Sequence, residues 1–203
     1  MSRRIAALVI MGITFGVGSA FAQESAPGPG AVEVTYMPAG AAYFASKGNS
    51  PSFGNYGFGS AVTFNLNPFV GVEGEIGAMI ATTSDLQFGD LNSNVKAPNA
   101  LSYNANLVVS PLAGHSFVPY ATGGIGALTM FERPELQVTS DETYLAGNVG
   151  GGIKWYAPNS RWGLRGDYRF AATQSKDTAP EFFGRDTRYA HRVYAGVIIN
   201  TKR

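Results

Sequence analysis

The residues best suited to do chemistry are seven charges of both signs: Glu73, Glu75, Lys154, Arg165, Asp167, Arg169 and Arg192, four positive and three negative. Glu73 and Glu75 are two residues apart, as are Arg165, Asp167 and Arg169, and on an extended chain that spacing puts each set on one face. Mixed ions sharing a face can neutralise one another across a narrow polar interior, or line a water path where they stay unpaired. They can also be a solvated surface with scattered pairs of little consequence.

Other chemistry is poorly served. His115 and Ser116 are adjacent, so in extended chain they point to opposite faces and are badly placed as base and nucleophile. His191, beside Arg192, has no serine within sequence reach. Asp85, Asp90, Asp141 and Asp177 lack the spacing of a calcium loop. Gly123-Gly124-Ile125-Gly126 and Gly150-Gly151-Gly152 are followed by no helix whose N-terminus could hold a phosphate. The absence of cysteine removes disulfides, thiol nucleophiles and Cys-ligated zinc. No cofactor, metal or enzymatic activity is expected.

The elements that must position the seven charges are strands. Beyond residue 30 no window sustains a 3.6-residue apolar period, and Gly or Pro interrupts nearly every stretch long enough for a helix. What recurs is a segment with period-2 alternation, of the length that crosses a bilayer at a tilt. Eight are drawn: 31–44, 54–66, 69–81, 100–110, 117–131, 142–156, 161–172 and 189–201. Short connections at 67–68, 111–116 and 157–160 alternate with longer ones at 45–53, 82–99, 132–141 and 173–188. That alternation fits an all-β, eight-stranded antiparallel up-and-down transmembrane β-barrel, with short turns and both termini on the periplasmic side.

Face by face, Val70, Val72, Ile76 and Ile80 oppose Gly71, Glu73, Glu75 and Gly77, while Leu164, Gly166, Tyr168 and Phe170 oppose Arg165, Asp167 and Arg169. Five segments alternate in this way and three less cleanly. A soluble sandwich or lipocalin-like barrel could show the same pattern with its apolar face inward. Composition favours the membrane: charged residues are only 14% of the chain, against roughly 25% in an ordinary soluble domain. Glycine is abundant, at 26 of 203 residues, and the non-apolar face is largely Gly and Asn. A net charge of +1 without a Lys/Arg run argues against nucleic acid as a partner. Phe69, Phe117, Tyr120, Trp155, Tyr156 and Trp162 flank the short turns. Tyr43, Phe44, Phe53, Tyr56, Phe131, Tyr144 and Tyr189 lie toward the long connections, so the two groups are expected to form interfacial girdles.

Arg3-Arg4, the apolar run from Ile5 and the Ala20-Phe21-Ala22 triplet have the three parts of a secretory signal peptide. The expected organisation is a leader at 1–22, a flexible lead-in at 23–30 and a barrel at 31–203.

Three stretches carry a family resemblance: Phe117-Val118-Pro119-Tyr120 running into Gly123-Gly124-Ile125-Gly126, the glycine-rich Ala146–Tyr156, and Trp162–Phe170. Together they resemble, in order, strands of the small outer-membrane β-barrel proteins of Gram-negative bacteria, the OmpA/OmpX/opacity-type superfamily. The resemblance implies a monomeric eight-stranded barrel in outer-membrane lipid, inserted by the outer-membrane assembly machinery. Its roles would range over envelope structure, surface interaction with an extracellular ligand and small-solute passage. Lipid-modifying enzymes exist among barrels of this size, but the histidines here are ill placed for that chemistry. Two features depart from the pattern: the last strand ends Ile199-Asn200-Thr201-Lys202-Arg203 instead of on an aromatic residue, and no peptidoglycan-binding domain is expected after it. The favoured function is a structural or surface-interaction barrel with a largely filled polar lumen. The alternative is a narrow channel or small-molecule binder.

Overall fold

The computed structural model describes residues 27–47, 50–88, 91–136, 138–179 and 182–202, with only the backbone for 83–88 and 91–95. The expected leader at 1–22 and most of the lead-in lie outside these residues. Ten strands follow in order: β1 Val32–Phe44, β2 Phe53–Asn65, β3 Val70–Ala81, β4 Thr83–Phe88, β5 Leu91–Lys96, β6 Ala100–Val109, β7 Phe117–Met130, β8 Glu142–Tyr156, β9 Trp162–Thr173 and β10 Arg188–Asn200. Eight of them close an antiparallel barrel in the order β1-β10-β9-β8-β7-β6-β3-β2.

The remaining two, β4 and β5, form a separate hairpin, with Thr83 opposite Lys96 and Phe88 opposite Leu91. The sequence reading treats 82–99 as a long connection, and this connection contains paired strands. Two runs of six residues are too short to cross a bilayer, but they can pair with one another locally.

The short turns have clear local causes. Asn67 bends the β2–β3 turn by accepting the backbone N–H groups of Phe69 and Val70 at 2.8 and 2.9 Å. Asn159 takes the left-handed conformation in the β8–β9 turn, with φ of 55°. The two chain ends meet beside these turns: the Gly30 N–H reaches the Asn65 carbonyl at 2.7 Å, and the Thr201 N–H reaches the Val32 carbonyl at 2.9 Å.

The faces are inverted relative to a water-soluble barrel. Ile125 is 70% exposed and Leu145 61%, whereas Glu73 and Arg169 are 0% exposed. The lipocalin-like alternative, with an apolar interior, is therefore overturned: the middle of the lumen is ionic, and the apolar residues at the middle of the strands point out.

Strand β1 shows why alternation was hard to read there. Pro38 has no N–H to donate, and the register of β1 shifts around it against both β10 and β2. Glu33, Thr35 and Met37 face inward before the irregularity, and Ala42 and Phe44 after it, so the inward parity switches within one strand. Five girdle residues are also corrected. Tyr120 and Tyr156 share inward parity with the lumen charges, and Phe44, Phe53 and Tyr144 are buried inside the opposite end. Phe69, Phe117, Trp162, Tyr43, Tyr56, Phe131 and Tyr189 do face outward.

Candidate functional site

The lumen is built upward from the short-turn end. There Glu33 of β1 pairs with Lys154 of β8 and accepts the Tyr156 hydroxyl at 2.5 Å. Above it, Glu73 of β3 meets two cations from β9: Arg165 donates from Nη1 to Oε2 at 2.5 Å and Arg169 from Nη2 to Oε1 at 2.8 Å. The Thr63 hydroxyl adds a third contact, at 3.0 Å. Asp167, between the two arginines in sequence, accepts Arg165 Nη2 at 2.5 Å, Arg169 Nε at 2.7 Å and the Tyr120 hydroxyl. The Arg165 guanidinium lies 4.9 Å from the centre of the Tyr120 ring, a cation–π geometry.

The next layer centres on Glu75, which faces Arg169 at 3.2 Å and Arg192 of β10 at 3.1 Å. Arg192 also donates to the Ser102 hydroxyl at 2.9 Å. Amides bridge the layers: Asn148 Nδ2 donates to Asn106 at 2.9 Å and to Asn104 at 3.2 Å, while its Oδ1 accepts Arg169 Nη1 at 3.2 Å. Strand β8 makes room for these long side chains with glycine. Gly150 stands opposite Arg169, and a Cβ added there would lie 3.0 Å from the arginine Cδ and 2.0 Å from the Tyr168 carbonyl oxygen.

Six of the seven charges singled out from sequence thus meet in one network of ion pairs; Lys154, its ammonium 5.4 Å from the centre of the Tyr120 ring, instead pairs with an eighth charge that the structure adds. Glu33, which the parity switch in β1 concealed, is the partner of Lys154. Four carboxylates, Glu33, Glu73, Glu75 and Asp167, face four cations, Lys154, Arg165, Arg169 and Arg192, all buried. Charges withdrawn from water to this degree are tolerable only when paired and hydrogen-bonded.

The histidines stand apart from it. His115 is exposed in the β6–β7 turn. His191 lies on the outward face of β10, with Nδ1 2.8 Å from the Tyr168 hydroxyl and its ring against Phe170. Among the described residues no group of His, Asp and Glu could hold a metal ion.

A closed eight-stranded barrel with an ionic bore and an apolar exterior is joined by a match in sequence: residues 5–198 fit the outer membrane protein beta-barrel domain. The chain belongs to that family. No functionally curated protein matches it. Solved outer-membrane barrels share its fold at low identity. Neisserial surface protein A is 14% identical with a TM-score of 0.55, covering 83% of this chain and 95% of that one. OprG of Pseudomonas aeruginosa is 15% identical with a TM-score of 0.54, covering 88% and 99%. The N-terminal β-barrel domain of OprF from the same organism is 13% identical with a TM-score of 0.52, covering 86% and 99%.

In this outer-membrane barrel the end bearing the long connections is filled differently. Phe44 and Phe53 stack at 4.6 Å, and Phe183, from the β9–β10 connection, meets Phe44 edge-on at 5.5 Å. Phe182 stacks on Phe53 at 5.4 Å, and the Tyr144 hydroxyl donates to the Phe183 carbonyl at 3.1 Å. Leu136 and Val138, from the β7–β8 connection, belong to the same apolar cluster. Into it projects Arg188, the first residue of β10, 1% exposed. The sequence reading missed Arg188 because it set the strand edge one residue later. An arginine at the start of a strand, with the inward parity of Arg192, was the available signal.

Proposed function

We propose that this protein resides in the outer membrane as a structural or surface-interaction barrel, whose bore is a filled scaffold and whose long connections face the exterior. The observation that carries the reading is the balance of the lumen: every carboxylate of the network has a cation within ion-pair distance, and every cation has a carboxylate. A continuous water path needs charges free to be hydrated, and eight strands enclose a bore that side chains can fill. The aromatic cluster adds a second, apolar obstruction at the far end.

Export by the leader, insertion by the assembly machinery and a monomeric state in lipid belong to the same proposal. The external ligand would be met by 82–99 and 173–188, the two longest connections.

The deciding experiment is conductance of the full chain, folded into planar lipid bilayers. No discrete steps above the lipid baseline are expected across a range of voltages. Steady unitary conductance of the unaltered protein would establish the narrow channel instead and overturn the filled-bore reading. Fractionation of cells, with gel mobility of the outer-membrane fraction before and after boiling, checks the location. A soluble product whose mobility boiling does not alter would contradict it.

A further inference from the structure

Arg188 differs from every other buried cation of the barrel. Lys154, Arg165, Arg169 and Arg192 each face a carboxylate, and the four carboxylates of the lumen are used by those four cations. Arg188 forms no ion pair among the described residues. Its Nη2 donates to the Pro51 carbonyl at 2.7 Å, while Nε and Nη1 have no hydrogen-bond partner. Asp186, the carboxylate that acts on it electrostatically, is exposed to solvent. The guanidinium instead lies 5.3 Å from the Phe183 ring centre and 5.9 Å from that of Phe53. A buried cation with two unmet donors is costly, and an anion brought to those donors would relieve that cost.

We propose that Arg188 is the seat of an organic anion taken from the exterior, whose acidic head meets Nε and Nη1 and whose apolar body lies among the rings of the mouth. The surroundings select for both halves: an anion alone would sit against phenylalanine rings, and an apolar molecule alone would leave the guanidinium unmatched. The site lies at the end of the barrel where the long connections gather, which the proposed orientation turns outward.

Entry requires Phe182 and Phe183 to move, and the described residues on either side of them are tied to one another. The Lys176 N–H bonds the Gly184 carbonyl at 2.6 Å, the Ala179 N–H bonds the Lys176 carbonyl at 2.9 Å, and Arg185 Nε donates to the Ala179 carbonyl at 3.1 Å. Their polar tie to the barrel wall includes the partly exposed Lys176–Glu142 pair, at 2.7 Å. A cavity of about 20 Å³, lined in part by Phe44, Thr173, Ala190 and Arg192 but not by Arg188, has room for roughly one water, so the ligand body needs the space that Phe182 and Phe183 give up, against Phe44, Phe53 and Tyr144.

The inference rests on the outward orientation but not on whether the bore conducts. The test is titration of the full chain in lipid nanodiscs with three probes: 3-phenylpropanoate, the uncharged 3-phenylpropanol and acetate. Saturable binding of 3-phenylpropanoate is expected, weakened roughly tenfold or more in Arg188→Met, as loss of hydrogen bonds to a charged group implies. Shifts in the NMR signals of Arg188 Nε–H and of the Phe53 and Phe183 amides give a second readout on the unaltered chain, should the variant not fold. Equal binding of 3-phenylpropanol, acetate binding as tight as that of 3-phenylpropanoate, no saturation, or shifts confined to residues away from the mouth would each overturn the proposal. Conductance of the same purified chain is recorded separately in planar lipid bilayers, so a conducting bore and an empty mouth are told apart.

Discussion

Arg165 is the side chain on which the centre of the lumen converges, reaching Glu73, Asp167 and the Tyr120 hydroxyl at once. Replacing it with alanine leaves Glu73, Glu75 and Asp167 to share Arg169 and Arg192, an uncompensated negative charge away from water, and the expected loss is about 3–5 kcal/mol of stability. The measurement is the urea midpoint of unfolding in lipid vesicles, followed by gel mobility, and an unchanged midpoint would mean that water already solvates these carboxylates. The Glu33–Lys154 pair allows a sharper test. Glu33→Gln alone leaves a buried ammonium without its counter-ion, whereas Glu33→Gln with Lys154→Met removes both charges. The double variant is therefore expected to be more stable than Glu33→Gln alone, and a strictly additive result would show that the pair is not coupled. At this scale the site was legible wherever charges shared parity on a regular strand, as in Arg165, Asp167 and Arg169. Glu33 lies on the irregular strand and Arg188 at a strand edge, and neither position is fixed by alternation alone.

Strands, turns and connections carry different amounts of information. A strand that must face an ionic lumen on one side and an apolar exterior on the other writes its period into the sequence, and all eight barrel strands were found to within about two residues. The β4–β5 hairpin is a sheet separate from the closed barrel, so nothing in the membrane pattern pointed to it. The β9–β10 connection is also ordered by contacts that leave no period. Within it Gly184 has φ of +104°, and a Cβ added there would lie 2.2 Å from the Tyr144 ring. Gly184→Val is accordingly expected to push the 174–187 segment off the mouth while the barrel stays closed. Limited proteolysis checks this: new cleavage within that segment, in protein that keeps its mobility shift on boiling. Gly147→Ala is the matched control, since nothing lies within 4 Å of an added Cβ, and it is expected to leave both readouts unchanged. Equal protease resistance in Gly184→Val would show that the cap does not depend on this turn.

At the scale of the whole molecule, a charge added to the outward face and a polar group removed from the inward one should have opposite effects, because the barrel separates two unlike surroundings. Val149, the central residue of β8, is 58% exposed, yet the medium it meets in the proposed location is hydrocarbon. Val149→Lys is expected to cost about 2–4 kcal/mol when the protein is folded in lipid, the range for a cation near the bilayer midplane. Thr122 of β7 faces the lumen, 4% exposed, and its hydroxyl has no hydrogen-bond partner. Thr122→Val removes an unmet polar group and keeps the shape, so it is expected to be neutral or slightly stabilising. For a soluble barrel the expectations differ in a way that folding measurements can read. A lysine at an exposed strand centre would be harmless and would raise solubility, and the apolar surface would drive association in detergent-free buffer. Reversible urea unfolding of both variants in vesicles therefore tests the inversion itself: a cost at Val149 with none at Thr122 requires hydrocarbon outside. A harmless lysine at Val149 would mean that the outward face of β8 is hydrated and that the barrel does not sit in the membrane at that level.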